Sequence, residues 1–452
     1  MKTKYLKYTL FLLLLTALSC KKNALDIKSD DALVVPSTLQ DFQGMLDNEV
    51  TINTSAPALD EMSTDNLYLP YTTWQALSNA FERNSYIWAK DIFQGASSND
   101  WYYAYQKVFY ANVILDGLQN IQVTDINRTD YNNVKGQALF LRAYSFFKIA
   151  QDYAKPYIAS SAKTDLGIVL RLTSDINAKS VRSTVQQTYD QITSDLLTAQ
   201  SLLPVTPSYK TRASQPAAAA LLARIYLTMG DYQNAFKYAD ASLKAFSTLL
   251  DYNTLNAAAS YPVPLLNSEV EYHQALSLYL TFLNMQVDPG LIQSYNSNDL
   301  RLTVFYKNNN NGTYSYKGSY VGSLTLFGGI AADETYLIRA ECNARLGNTS
   351  DAMNDLNTLL QKRYKTGTFT ALTASSADNA LSLILAERRK ELVFRGLRWS
   401  DLRRLNQDPR FTVTLTRNLN GTVYTLPPND PKYVFPISDN VITYSGIQQN
   451  PR

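Results

Sequence analysis

A helix, a glycine turn and a second helix occur twice in this chain, and that recurrence constrains the fold more than any other feature. Aligning Ala223 with Ala340 sets Gly230 on Gly347, Ala235 on Ala352, Ala239 on Leu356 and Leu243 on Leu360. The turns read TMGDYQNA and RLGNTSDA. Small residues where two antiparallel helices cross, with glycine between them, are what a tetratricopeptide-like helix pair requires. Two copies set no regular period, so unrelated amphipathic helices are the competing reading. Helical spacing also runs from Asn99 to Leu118, from Asp130 to Tyr153 and over 183–203, with a first helix after a Ser37/Thr38 cap. In the second of these, Val134, Ala138 and Leu141 beside Phe140, Tyr144 and Phe147 predict one broad buried face, ended by Pro156. The expected fold class is mostly all-α: helix pairs carrying long irregular insertions.

Two segments break the helical pattern. Residues 59–101 hold Tyr68, Tyr71, Trp74, Phe81, Tyr86 and Trp88; residues 247–330 hold twelve further Tyr and Phe residues around an Asn308–Gly312 turn. Segments this long and this rich in rings suit recognition loops set into a rigid scaffold, although a plain surface insertion has the same signature. The 32 tyrosines do not decide between these, because tyrosine serves both binding surfaces and core edges.

The chain's start reads as an address. Lys2, Lys4 and Lys7 precede the apolar run LFLLLL, and Ala17-Leu18-Ser19 lead into Cys20. The run is too short to span a bilayer, which takes about 20 apolar residues. The pattern resembles a bacterial lipoprotein signal: residues 1–19 removed, Cys20 acylated, residues 20–37 a leader, and 38–452 a single domain tethered to a membrane by lipid alone. A plain secretory signal is the alternative. The formal charge of +3 includes those three lysines, so the remainder is near neutral and suggests no nucleic-acid partner. Beyond Cys20 the sole cysteine is Cys342, within a helical pattern, and it is expected to act as a small apolar group.

Enzyme signatures are scarce. There is no phosphate-binding glycine loop, and a single histidine, His273, rules out zinc sites built on several histidines. No metal, cofactor or catalytic residue is expected, but a pair of carboxylates acting on a glycosidic bond leaves no trace in sequence spacing. The densest charged stretch is ERRKELVFRGLRWSDLRRL, residues 387–405. Glu387 and Glu391 share one helical face, within reach of Arg388, Arg395 or Arg398 across a turn at Gly396. Neighbouring arginines would lower the carboxyl pKa values and spoil a general acid, so Glu387, Glu391, Arg395, Arg398, Trp399 and Asp401 are expected to form a structural network.

This stretch resembles the signature of the SusD/RagB family of Bacteroidetes outer-membrane lipoproteins. GQALFLRAYSFFKIAQDYAKP, RASQPAAAALLARIYLTMGDYQNAFKYA and ADETYLIRAECNARLGNTSDAMNDLNTL are similar to family helices, and YVFPISDNVITYSGIQQNPR to its ending, all in family order. The resemblance implies four tetratricopeptide-like pairs. It also implies a cell-surface role in the outer membrane: capturing an oligosaccharide, or in some members a peptide, and passing it to a SusC-like TonB-dependent transporter without breaking bonds. On that basis the candidate ligand contacts are Asp65, Asn66, Tyr68 and Trp74, with Trp88, Tyr279, Tyr316 and Tyr320. A glycan-degrading helical enzyme and a scaffold binding only protein are the competing functions. Lys21 and Lys22 directly behind Cys20 depart from the acidic start expected of surface-exported relatives.

Overall fold

Both glycine turns of the repeat fold alike. In the computed structural model, which describes residues 36–452, Gly230 (φ +76°) and Gly347 (φ +87°) each end one helix in the left-handed region. The chain then donates Asp231 N–H to the Tyr226 carbonyl (2.9 Å) and Asn348 N–H to that of Asn343 (2.8 Å). A side chain at Gly347 would meet nothing within 4 Å, so backbone angle and not space selects glycine here. Ala235, Ala239, Ala352 and Leu356 are wholly buried where the paired helices cross. The signal, Cys20 and nearly all of the leader lie outside the described residues.

Nine helices make the frame: α1 (Asn99–Gly117), α2 (Arg128–Tyr153), α3 (Val185–Leu202), α4 (Gln215–Met229), α5 (Tyr232–Ala245), α6 (Ala332–Arg345), α7 (Thr349–Gln361), α8 (Ala377–Glu391) and α9 (Arg398–Leu405). From α1 to α8 each packs on the next, and α6 also packs on α8. Among the described residues the strands form five separate antiparallel pairs. The mostly helical class expected from the sequence is therefore what the chain adopts, and Leu39–Arg452 form one compact unit.

Helix α2 departs from the one-faced expectation. Every residue from Gly136 to Tyr153 is buried. Helices α1 and α3 cover two sides, and its last turn is held by the Arg403 guanidinium, which donates to the Gln151 and Ala154 carbonyls. Phe435 N–H adds a bond to the Asp152 carbonyl (2.8 Å). Arginine and backbone from distant segments thus satisfy polar groups that water would otherwise serve.

Several carboxyls are buried in this core. Glu271, on the strand Val270–Tyr272, accepts from Ser242 Oγ at 3.0 Å, while its other oxygen makes no well-formed hydrogen bond among the described residues, although the Thr335 side chain lies within reach of the carboxyl. Burial pushes its pKa up to about 8, with Glu334 and Asp333 adding to the rise against Ser242. The folded chain then keeps a proton that the unfolded chain releases near its ordinary value of about 4.3, so stability is full below that value and falls as pH rises towards 8. Glu271→Gln is expected to match the parent at pH 5 and exceed it at pH 9 by about 2 to 4 kcal/mol, read from urea unfolding at both pH values.

Candidate functional site

The signature stretch spans the end of α8, the turn at Gly396 and α9, and its acids face inward. Arg301, wholly buried, donates to both Asp299 oxygens (2.9 and 2.7 Å), to Glu387 (2.6 Å) and to Glu391 (3.0 Å). Arg363 reaches Glu391 (2.7 Å) and Glu269 (2.6 Å). Arg388 and Arg404 share Asp401, and Arg395 holds Asp333 (3.0 Å). Glu387, Glu391, Arg395, Arg398 and Asp401 each stand in an ion pair, whereas Trp399 has ring contacts only. Glu387 and Glu391 do not use Arg388, Arg395 or Arg398; their cations come from Arg301, Arg363 and Lys390. Burial opposes ionisation, yet Arg301 and Lys390 hold Glu387 below the usual carboxylate range, and Arg388 and Arg404 bring Asp401 down to about 2. Trp399 is fully buried against Tyr433 and Phe435.

Around this junction the two ring-rich segments join. Leu67–Tyr68 pairs with Gln286–Val287 as a short antiparallel ladder, extended by Asp288 N–H to the Asn66 carbonyl (2.9 Å). Glu82 accepts from Thr281 N and Oγ1, both at 2.8 Å, and Asp100 accepts from Tyr279 OH at 2.6 Å. The ladder carries a face of half-buried rings. Tyr68 lies on it, and the short helix Tyr71–Ala76 sets the Tyr71 and Trp74 rings 6.0 Å apart, tilted by 32°. The indole N–H of Trp74 donates to the Arg83 carbonyl (3.0 Å), which locks the ring while leaving part of it in solvent. Polar groups stand beside the rings: Asp288, a third exposed, and Arg389, whose guanidinium lies 3.4 Å from Asp288 and 3.3 Å from Asp65. Leu278, Leu280 and Leu283 are exposed nearby on the central segment.

The sequence-selected contacts separate on this map. Tyr68 and Trp74 belong to the face, whereas Tyr316, on the strand Tyr314–Tyr316 that packs against Gln286–Val287, sets its ring against the buried rings of Phe394, Phe305 and Tyr306. Asp65 lies beneath as an anchor: Arg398 grips both of its oxygens (2.7 and 2.8 Å), and despite burial the two arginines hold it well below the usual range. Four residues are corrected to core. Asn66 donates to Glu61 at 2.9 Å in the interior, and Trp88 donates to the Ser63 carbonyl with the Arg417 guanidinium over its ring. Tyr279 spends its hydroxyl on Asp100, and Tyr320 bonds Glu269 with Arg395 stacked on its ring. All four are at most 6% exposed, which leaves no face for a ligand. Tyr71, Asp288 and Arg389 join the site instead. Sequence spacing carries no sign of Arg389, because its partners lie far away along the chain.

The face can stack on apolar C–H surface and exchange hydrogen bonds at its edge. The buried acids with raised pKa values, Asp60, Glu61, Asp100, Asp152, Glu269, Glu271 and Asp355, are at most 6% exposed and cannot reach a bound molecule there. Among the described residues no group of three or more His, Cys, Asp or Glu could hold a metal ion, and no helix is long and apolar enough to cross a membrane. His273 and Cys342 are core residues, the thiol pushed up by burial.

A helical-repeat frame that bears ring-lined insertions defines a class of binding scaffold. Residues 24–227 match the SusD-like family described as starch-binding and associating with the outer membrane, and residues 332–452 match the SusD family. The chain belongs to the SusD/RagB family. It is similar to the SusD-like protein P2 of Formosa agariphila, 24% identical over 388 residues that cover 72% of this chain and 74% of the relative. Among solved structures it resembles a SusD superfamily protein from Bacteroides thetaiotaomicron (TM-score 0.72, 23% identity, 92% and 100% of the two chains covered). A SusD-like carbohydrate binding protein from Bacteroides vulgatus is also similar (TM-score 0.66, 19% identity, 91% and 97% covered).

Proposed function

We propose that this chain, acylated at Cys20 and held on the outer face of the outer membrane, captures a glycan oligomer on the Tyr68/Tyr71/Trp74 face and hands it to a SusC-like TonB-dependent transporter. The observation that carries the reading is the ring group itself: half-open aromatic faces with Asp288 and Arg389 at their edge, on a ladder fixed to a rigid frame. A sugar ring presents C–H groups on its faces and hydroxyls on its rim, the complement of such a surface. The family's outer-membrane, starch-binding description and the carbohydrate-binding neighbour point the same way. Binding is the whole of the activity in this reading, since Asp65 beside the face is held ionised by two arginines and cannot donate a proton.

Glycan and peptide arrays on the chain from Lys21 onward, with reducing-end release followed in parallel, test this. Saturable glycan binding without release is expected; release would make the chain an enzyme, and capture of peptides alone would change the ligand class. Trp74→Ala is expected to weaken glycan binding about tenfold, since one stacked ring contributes about 1 kcal/mol beyond its buried area. Unchanged affinity in titration calorimetry would remove the ring face from the site.

A further inference from the structure

A second hollow, about 690 Å³, shares no residue with the ring face. It lies where the chain after α2 (155–166), the end of α9 and the stretch 429–451 meet. Its volume falls within the roughly 300–1,000 Å³ of small-molecule sites. Most of its charged groups are already bonded, although Arg403 Nε has no partner among the described residues. Lys155 pairs with Asp165 (2.6 Å), Arg403 gives both terminal nitrogens to the carbonyls at the end of α2, and Asp430 accepts from Lys432 N–H (2.9 Å). Two basic and two acidic side chains line it, so the hollow is neutral.

What remains for a ligand is neutral hydrogen-bonding capacity. Five carboxamides line the hollow, Asn406, Gln407, Asn429, Gln448 and Asn450, but Asn450 spends its oxygen on Arg182 and its nitrogen on the Tyr153 and Phe435 carbonyls, and Asn429 gives its nitrogen to the Asn406 carbonyl. Gln448 is exposed, and its amide bonds no other described residue. Gln407 and Asn429 are tied to each other at 2.6 Å across the rim, which leaves the Gln407 carbonyl oxygen free. In the wall, Asn406 Nδ2 and Tyr433 OH lie side by side without a well-formed hydrogen bond, and both residues are 3% exposed. Pro156, Ile158, Leu166, Pro431 and Pro451 supply the apolar part of the lining.

Each ligand class meets this chemistry differently. An anion would face Asp165 and Asp430, and the one unbonded nitrogen of a lining cation, Arg403 Nε, is itself buried; a wholly apolar molecule would strip water from the amides without replacing it. A hydroxyl-rich ring matches both kinds of wall, its rim on the amides and its C–H faces on proline and aliphatic carbon. We propose that this hollow is a second binding site, for a neutral mono- or disaccharide, and that it works independently of the ring face.

The test uses the chain from Lys21 onward with glucose, galactose, xylose, maltose, lactose and cellobiose as probes in titration calorimetry. At least one is expected to bind. Gln448→Trp, which fills the hollow from its exposed rim, is expected to weaken that binding at least tenfold, and Gln407→Trp to do the same, while Trp74→Ala leaves it unchanged. Thermal melts of the rim variants report that the fold is intact. The proposal is overturned if none of the six probes binds, if both rim variants bind as the parent does, if Trp74→Ala removes the binding, or if glucuronate binds as tightly as the neutral sugars. Failure of the ring-face reading would instead appear as oligomer binding indifferent to Trp74→Ala, so the two outcomes are separable.

Discussion

Arg301→Met is expected to lower the free energy of unfolding by about 3 to 5 kcal/mol, the usual cost of removing one partner from a buried ion group. Methionine can occupy much of the arginine's volume, so the loss would come from charge. Asp299, Glu387 and Glu391 would be left with Lys390, 3.4 Å from Asp299 and 2.7 Å from Glu387, and with Arg363 on Glu391. The guanidinium also lies over the Tyr295 ring, whose hydroxyl donates to the Lys390 carbonyl at 2.7 Å, so the central segment and α8 would loosen together. Urea unfolding measures the loss. Adding Glu391→Gln to the Arg301→Met chain is expected to recover part of it, because one uncompensated charge goes with it, and the two substitutions are then strongly non-additive. A loss below about 1 kcal/mol would mean that the junction contributes little to holding the frame.

The frame was largely legible in the sequence because its determinants are local. Glycine at 230 and 347 answers to a backbone angle, and alanine at 235 and 352 to a helix crossing, and both act within a few residues of themselves. The wiring of the signature stretch was not legible. Glu387 and Glu391 share a helical face, as their spacing requires, yet that face turns inward to Arg301 and Arg363, 86 and 28 residues away along the chain. The same limit divides the rings. Tyr279 and Tyr68 look alike in sequence, but Tyr279 has a buried carboxylate to receive its hydroxyl and Tyr68 stands at the surface on a two-residue ladder. Nothing local to either tyrosine encodes that partner. The hollow beside the C-terminal stretch was invisible for a related reason, since its amides come from three separate parts of the chain.

Trp399→Ala is expected to cost about 3 to 5 kcal/mol, comparable to the loss of Arg301 but by a different mechanism. Its indole is wholly buried, 4.7 Å from the Tyr433 ring and 5.8 Å from that of Phe435, and it fixes α9 to the stretch that lines the second hollow. Alanine would leave a cavity where α9 and that stretch meet, and neighbours already bonded to the end of α2 cannot collapse into it. Trp399→Phe separates volume from polarity. The indole nitrogen of Trp399 is buried with no partner among the described residues, so phenylalanine forfeits no hydrogen bond and removes an unsatisfied donor. Its cost is expected to stay below about 1.5 kcal/mol, from the smaller ring alone. Urea unfolding of the two variants decides the matter: if phenylalanine costs as much as alanine, the indole nitrogen is bonded in solution, and the contact between α9 and Tyr433 is polar where the structure has it apolar.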